Sequence, residues 1–147
     1  MCGVVAVLGK KSASSLVIEG LKKLEYRGYD SAGIATLDKG HLKAIKSEGK
    51  LNNLINTFST HKKEKFYFDN SIAIGHTRWA THGNVNIKNA HPLISDKKVA
   101  VVHNGIIENY ATIKKQLISE GFVFESDTDT EIIPNLFVKY IKMGNDF

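Results

Sequence analysis

The order of short apolar segments is the feature that most constrains the fold of this chain. Residues 3–8 are continuously apolar and rich in β-branched side chains, which is typical of a buried strand. Residues 13–25 carry apolar side chains at helical spacing, which predicts an amphipathic helix. Two further strands, at 33–37 and 42–46, are joined by the turn-forming sequence Asp38-Lys39-Gly40. Mixed strands and helices with hairpin-like connections predict an α+β fold.

The second half of the chain continues the same mixture. Pro134 falls inside the last predicted helix, so we expect a kink or a late helix start there. The elements predicted for this half are a helix at 51–58, an exposed loop at 59–70, a strand at 71–75, an irregular segment at 84–96, a strand at 98–103, a helix at 108–119, a strand at 122–125 and a helix that ends near 142.

Composition narrows the class of protein. A chain of 147 residues is long enough for one domain with a real core. The net charge of +5 comes from scattered lysines without a basic stripe, so we expect no nucleic-acid partner. The single cysteine excludes an internal disulfide and indicates a reducing cytoplasm. The sequence has neither a signal peptide nor an apolar run long enough to span a bilayer, so we expect no membrane association.

That single cysteine, Cys2, directly follows the initiator methionine. If Met1 is removed, Cys2 carries a thiol and a free α-amine on one residue, which pairs a nucleophile with its own base. An α-amine with a pKa of about 7.7–8.0 accepts a proton near neutral pH. Alternatively, Cys2 is simply a small residue that enters the first buried strand, which is the commoner role of a free cysteine.

Polar residues cluster where predicted strands end, and each cluster has a structural alternative. The segment 25–33 is glycine-rich but lacks a P-loop ending, so by itself it predicts a tight turn. His76 and His82 lack acidic or cysteine partners at metal-binding spacing, so we expect no metal. Arg78 is suited to bidentate binding of a carboxylate, and Trp79 beside it could exclude water. Alternatively, Arg78 is simply a surface arginine and Trp79 a tryptophan of the core.

Two later clusters also suggest chemistry. The side-chain amide of Asn104 and the N–H of Gly105 could together form an oxyanion hole, although Asn-Gly is also a common turn dipeptide. In the segment 126–131, Thr128 and Glu131 fit a capping box. Asp129 in the same segment suits a helix N-terminus, and it could also bind a ligand ammonium group.

Six stretches of this chain resemble the glutaminase domain of the glutamine–fructose-6-phosphate aminotransferases, which are N-terminal-nucleophile, class II glutamine amidotransferases. They spread over nearly the whole chain in the order of that family. The Tyr-Arg-Gly-Tyr-Asp and Arg-Trp-Ala-Thr-His runs favour this sugar-phosphate branch over the amidophosphoribosyltransferases. The matching stretches are Met1-Cys-Gly-Val-Val, residues 24–33, Gly75-His-Thr-Arg-Trp-Ala-Thr-His-Gly, Asn89-Ala-His-Pro, residues 101–109 and Ser126-Asp-Thr-Asp-Thr-Glu.

The resemblance implies a four-layer αββα sandwich that needs no metal or organic cofactor. It also implies a role for each matching residue. Cys2 would attack the amide of glutamine through a γ-glutamyl thioester, with its α-amine moving the proton, while Asn104 and Gly105 stabilise the oxyanion. The substrate-binding residues implied by the resemblance are Arg78 for the α-carboxylate, Asp129 for the α-ammonium group, Thr81 and His82 to complete the pocket, Trp79 as a gate for ammonia and Arg27 beside the nucleophile.

The family's glutaminase domain continues beyond residue 147 and is followed by sugar-isomerase domains. We therefore expect 1–147 to be a truncated glutaminase domain without the isomerase domains that bind fructose 6-phosphate. The full-length family member is expected to be a homodimer. Two alternatives stay open: a truncated, non-catalytic remnant that binds glutamine weakly or only partners another subunit, and the glutaminase part of another amidotransferase.

Overall fold

The computed structural model describes residues 2–9, 12–25, 29–61, 70–79 and 84–144. Four antiparallel strands form the main sheet, in the order β1-β4-β2-β3. These strands are β1 (Gly3–Leu8), β2 (Ser31–Asp38), β3 (His41–Glu48) and β4 (Ile72–Arg78). A second sheet pairs β5 (Leu93–Ser95) with β6 (Val99–Val101), with Leu93 opposite Val101.

Helices cover the outer face of each sheet. Helix α1 (Ala13–Leu24) packs on β1 and β4, and α2 (Leu51–Thr60) packs on β3. Helix α3 (Tyr110–Ser119) packs against α4 (Ile132–Lys142), which also covers β5 and β6. The predicted α+β fold with αββα layering is confirmed.

The main core lies between the first two helices and the outer face of the main sheet. Val17 and Leu21 of α1 are fully buried, as is Ile34 of β2. The helix approaches so closely that a Cβ on Gly75 would lie 2.4 Å from a methyl group of Val17. Because alternate strand residues point to opposite faces, this packing directs His76 and Arg78 of β4 to the other face, toward the second sheet.

The second sheet and the loops around it, here called the second layer, lie close to that inner face of the main sheet. The carbonyl oxygen of His91, in the cis peptide bond to Pro92, lies so near Gly33 that a side chain there would collide with it. The ring of His91 stacks on that of His76, with centroids 4.4 Å apart. Together these contacts bring the end of β4 beside the loops of the second layer.

Four local predictions differ from the structure. The strand predicted to end at residue 75 continues to Arg78, because Gly3 and Ser31 extend the ladder on either side of β4. The segment 84–96, predicted to be irregular, contains the short strand β5. Residues 122–125 are not a strand, and the strand predicted at 98–103 is paired only over Val99–Val101. The other expected helices and strands form within a few residues of their predicted bounds.

Helix α4 begins at Ile132, which confirms the late start predicted from Pro134. Pro134 falls in the first turn, where a missing backbone N–H costs no helical hydrogen bond. Thr128 and Glu131 do not form the predicted capping box, because Thr128 makes no capping hydrogen bond. Glu131 instead accepts from the backbone N–H groups of Glu125 and Ser126. The predicted loop at 59–70 lies mostly outside the described residues.

Candidate active site

A cavity of about 330 Å³ opens between the main sheet and the loops of the second layer. Its walls come from the start of β1, the end of β4, the segment after β6 and the turn before α4. The residues that line it are Cys2, His76, Arg78, Trp79, His91, His103, Asn104, Gly105, Ile106, Thr128, Asp129 and Thr130. The structure therefore brings six of the predicted site residues to one cavity: Cys2, Arg78, Trp79, Asn104, Gly105 and Asp129.

Three other predicted site residues, Arg27, Thr81 and His82, lie outside the described residues. Within the described ranges, no group of three or more His, Cys, Asp or Glu side chains is placed to hold a metal ion. No helix in the described part of the chain combines the length and apolar character needed to cross a membrane.

Cys2 lies at the start of β1, half-buried at the edge of the cavity. Its Sγ accepts a hydrogen bond from the backbone N–H of Trp79 at 3.2 Å. The sulfur is also 3.7 Å from the carbonyl oxygen of Trp79. These contacts hold the thiol against the end of β4, beside the backbone that follows Arg78.

Asn104 reaches Cys2 from the second layer. Its Nδ2 donates to the carbonyl oxygen of Cys2 at 3.0 Å, joining two residues that are 102 positions apart in the chain. Gly105 follows with a φ of 156°, and a Cβ there would lie 2.7 Å from Nε2 of His103. Glycine suits this position, because side chains rarely adopt its backbone conformation and the adjacent imidazole would have to shift to admit a Cβ.

Arg78 and Asp129 bring opposite charges to the same cavity. Arg78 is only 5% exposed, and its guanidinium donates to the carbonyl oxygen of Asn84 at 3.4 Å. Asp129 is half-buried, and its Oδ2 accepts from the backbone N–H of Ile107 at 2.7 Å. A ligand that carries both a carboxylate and an ammonium group would find a partner for each charge here.

The buried side chain of Asn89 links the segment that contacts Arg78 to the turn that carries Asp129. Asn89 is fully buried, and its Nδ2 donates to the carbonyl oxygen of Asn84 at 2.9 Å. Its Oδ1 accepts from the backbone N–H of Asp127 at 2.9 Å. No sequence pattern predicts this bridge. The only available signal was the position of Asn89 in the Asn-Ala-His-Pro stretch that resembles the family.

Three histidines form the floor of the cavity. His91 Nδ1 accepts from the backbone N–H of His103 at 3.3 Å, and His103 Nδ1 lies 3.1 Å from Oγ1 of Thr130. Burial is the main cause that lowers the pKa of His76 to about 4 and that of His91 to about 2. Both rings are therefore neutral at neutral pH. The sequence pattern marks His76 only as a possible metal ligand and indicates no role for His91 or His103.

A domain of αββα layers, with a cysteine at the start of its first strand facing an inter-sheet cavity, has the architecture of the N-terminal-nucleophile amidotransferases. Solved structures agree. The chain is 30% identical to the glutamine phosphoribosylpyrophosphate amidotransferase from B. subtilis, with a TM-score of 0.75 over 100% of this chain and 30% of that one. The structure of the allosteric regulatory enzyme of purine biosynthesis matches with the same TM-score at 29% identity, again over 100% of this chain and 30% of that one.

The model of the glutamine amidotransferase domain family matches residues 50–147. The chain therefore belongs to the glutamine amidotransferase domain family. It is 50% identical over 144 residues to the glutamine–fructose-6-phosphate aminotransferase [isomerizing] of Bartonella quintana, and 53% identical over 146 residues to that of Clostridium acetobutylicum. These alignments cover 98% and 99% of this chain but 23% of each relative, so the chain spans about a quarter of their length.

Proposed function

We propose that this domain hydrolyses L-glutamine to glutamate and ammonia, with Cys2 as the nucleophile. One observation carries the proposal: Cys2 and Asn104, joined by a hydrogen bond from the Asn104 amide to the Cys2 carbonyl oxygen, line one cavity together with Arg78 and Asp129. A thiol nucleophile, an amide donor and two opposite charges are what hydrolysis of an α-amino acid amide requires.

The proposed reaction proceeds in two steps. The α-amine of Cys2, freed by removal of Met1, takes the thiol proton as sulfur attacks the carboxamide carbon of glutamine. The Asn104 side chain and the Gly105 N–H stabilise the negative charge that develops on the amide oxygen. The α-ammonium group then returns the proton to the leaving nitrogen, which departs as ammonia. Water next attacks the γ-glutamyl thioester, releasing glutamate and restoring the thiol.

Arg78 is proposed to bind the substrate carboxylate, and Asp129 its ammonium group. Thr81 and His82 are proposed to complete the pocket, with Arg27 beside the nucleophile. Trp79 is 49% exposed at the cavity, and we assign to it the gating of ammonia. These assignments come from the family resemblance, and the charges of Arg78 and Asp129 at one cavity support the first two.

We further propose that the ammonia serves the conversion of fructose 6-phosphate to glucosamine 6-phosphate in the cytoplasm. The relatives at 50% and 53% identity carry the name of that activity, whereas the glutamine phosphoribosylpyrophosphate amidotransferase is 30% identical. We assign the fructose 6-phosphate site and the homodimer contacts to the roughly three quarters of such relatives that this chain does not cover. Residues 1–147 alone should therefore form no amino sugar.

Glutamate release by the purified chain, with Met1 removal verified by mass, tests the proposal. Cys2→Ala should abolish glutamine hydrolysis with the fold intact, because Cys2 contributes little packing at the start of β1. A matched form that keeps extra residues before Cys2 should also be inactive, since its α-amine is an amide. Hydrolysis that persists in Cys2→Ala would rule out the nucleophile, and full activity of the extended form would rule out the α-amine as base.

A further inference from the structure

A continuous line of contacts runs from the main sheet to the nucleophile through two side chains. Nε2 of His76 lies 2.8 Å from Oδ1 of Asn104. Nδ2 of Asn104 donates to the carbonyl oxygen of Cys2 at 3.0 Å. His76 is 1% exposed, whereas Asn104 is exposed to the cavity. The rigid sheet thus contacts the oxyanion donor directly through one imidazole.

Donor and acceptor chemistry determines the orientation of the Asn104 carboxamide and the tautomer of His76. A carbonyl oxygen can only accept, so the end of the Asn104 carboxamide that faces Cys2 must be the NH₂ group. The amide oxygen then faces His76, and because it too can only accept, the proton of the imidazole must be on Nε2. With one amide proton on the Cys2 carbonyl, the second is left for a ligand oxygen in the cavity that Asn104 lines.

We propose that His76 is the positioning residue of the oxyanion hole, where its Nε2–H holds the Asn104 carboxamide with the NH₂ group toward Cys2. The inference rests on the proposed glutamine hydrolysis for its kinetic consequence, but not for its geometry. If the amide were reversed, its oxygen would face the developing oxyanion and would repel it. The state of a buried imidazole therefore decides whether Asn104 stabilises the transition state or opposes it.

The surroundings of the ring favour this tautomer. Nδ1 of His76 is buried and has no hydrogen-bond partner among the described residues. A proton moved to Nδ1 would therefore be unpaired, and bare Nε2 would face the lone pairs of the amide oxygen. The ring of His76 also stacks on that of His91, with an angle of 27° between the ring planes and 4.4 Å between the centroids, which restrains its orientation. Burial, and repulsion from Arg78, also keep the ring neutral by lowering the pKa of His76 to about 4.

A matched pair of substitutions separates the hydrogen bond from the packing. In His76→Gln the amide nitrogen can occupy the place of Nε2 and donate, whereas His76→Met has the same length and no donor. We expect His76→Met to lower kcat for glutamine hydrolysis roughly 10- to 100-fold, below the loss expected for removing an oxyanion donor altogether. KM should change less than about threefold, and His76→Gln should recover most of kcat.

Two controls distinguish positioning from a general structural defect. Alkylation of Cys2 by iodoacetamide forms no oxyanion, so its rate should be the same in wild type and His76→Met. In an Asn104→Ala background, His76→Met should cause no further loss of kcat, since its effect passes through Asn104. A full additional loss in the double variant, or equal kcat in His76→Gln and His76→Met, would overturn the inference.

A spectroscopic test is independent of activity and applies even if the variants fold poorly. Ring ¹⁵N shifts of wild-type protein should show His76 as the neutral tautomer with the proton on Nε2 and a bare Nδ1. A proton on Nδ1, or a charged ring at neutral pH, would refute the assignment. If wild type releases no glutamate, the proposed function fails, and the ¹⁵N shifts alone decide the role of His76.

Discussion

The charge of Asp129 is expected to contribute to glutamine binding and its hydrogen bond to stability, and a substitution can separate the two effects. Asp129→Asn keeps an oxygen for the N–H of Ile107 but removes the negative charge. We expect stability to change little, and KM for glutamine to rise roughly 10- to 100-fold, since hydrogen bonds to charged groups contribute about 1.5–3 kcal/mol. Steady-state glutamate release and thermal unfolding measure the two effects.

Asp96→Asn is the matched control for this prediction, because Asp96 is a surface carboxylate whose partners are Lys98 and Lys142. It should leave both KM and unfolding almost unchanged. If Asp129→Asn loses about 1 kcal/mol of stability with unchanged KM, Asp129 is a structural residue of the turn before α4, and the ammonium assignment is wrong.

At the scale of secondary structure, the turn before α4 depends on one buried carboxylate. Glu131 is 5% exposed and accepts from the N–H groups of Glu125 and Ser126 at 2.8 and 2.7 Å. Its Oε2 also accepts from the Ser126 hydroxyl at 2.6 Å. The turn that these bonds fix carries Thr128 and Asp129, both of which line the cavity.

Glu131→Gln should therefore destabilise the domain by about 1–3 kcal/mol, because an amide NH₂ would face one of the backbone donors and leave it unsatisfied. Chemical denaturation measures the change in the free energy of unfolding. Glu120→Gln is the matched control, since Glu120 pairs with Lys139 at the surface, where solvent screening leaves an ion pair little effect on stability. Equal effects of the two substitutions would contradict the structural role of Glu131.

The periodicity of apolar residues predicted those strands and helices that have a strong apolar pattern of their own. Strand β1 and helix α1 have strong apolar patterns, and both were placed within a residue or two. Strand β5 has only three residues, too few for a pattern to show. Residues 122–125 look like a strand, but Phe122 N–H donates to Leu117 and Glu125 N–H to the Glu131 side chain, so these donors are not available to a sheet ladder.

The candidate site follows the same division. Cys2, Asn104 and Asp129 could be named because their residue types carry chemistry of their own. His76 and Asn89 could not, because their importance comes from partners that lie 28 and 38 positions away in the chain. Such pairings arise from the meeting of two layers, which single-sequence patterns do not encode.

At the scale of the whole molecule, the buried histidine pair makes stability depend on pH. Well above pH 6.5, His76 and His91 are neutral in both the folded and unfolded chain, so pH has little effect on stability through them. As the pH falls, the unfolded chain binds protons at these rings while the folded chain does not, and folding stability decreases. For His76, whose pKa is lowered to about 4, the loss between pH 6.5 and 4 is on the order of 3 kcal/mol.

We expect the thermal midpoint of the domain to fall steadily from pH 7 to pH 5, and the slope to be shallower in His76→Gln. His41→Gln is the matched control, because it replaces an exposed imidazole in the β2–β3 hairpin by the same side chain. A midpoint independent of pH over this range, or equal slopes in wild type and His76→Gln, would show that the folded ring binds its proton as readily as the unfolded one.

We expect the outer strand of the main sheet to make residues 1–147 prone to self-association. Strand β1 is at the edge of the sheet, paired only with β4 among the described strands. Its inner-face side chains are uncovered: Val4 is 41% and Leu8 83% exposed. An unpaired apolar edge is a template for another chain. We therefore expect the isolated polypeptide to be marginally stable, to associate with increasing concentration, and to be weak as a glutaminase.

Light scattering over a concentration series measures this association, and Leu8→Lys should reduce it by placing a charge on the strand edge. Leu16→Lys provides the matched control, because Leu16 is an exposed leucine, 54% accessible, on helix α1 rather than on a strand edge. If both substitutions reduce association equally, general surface hydrophobicity is responsible. A wild-type monomer that unfolds cooperatively and hydrolyses glutamine rapidly would show that β1 needs no further cover.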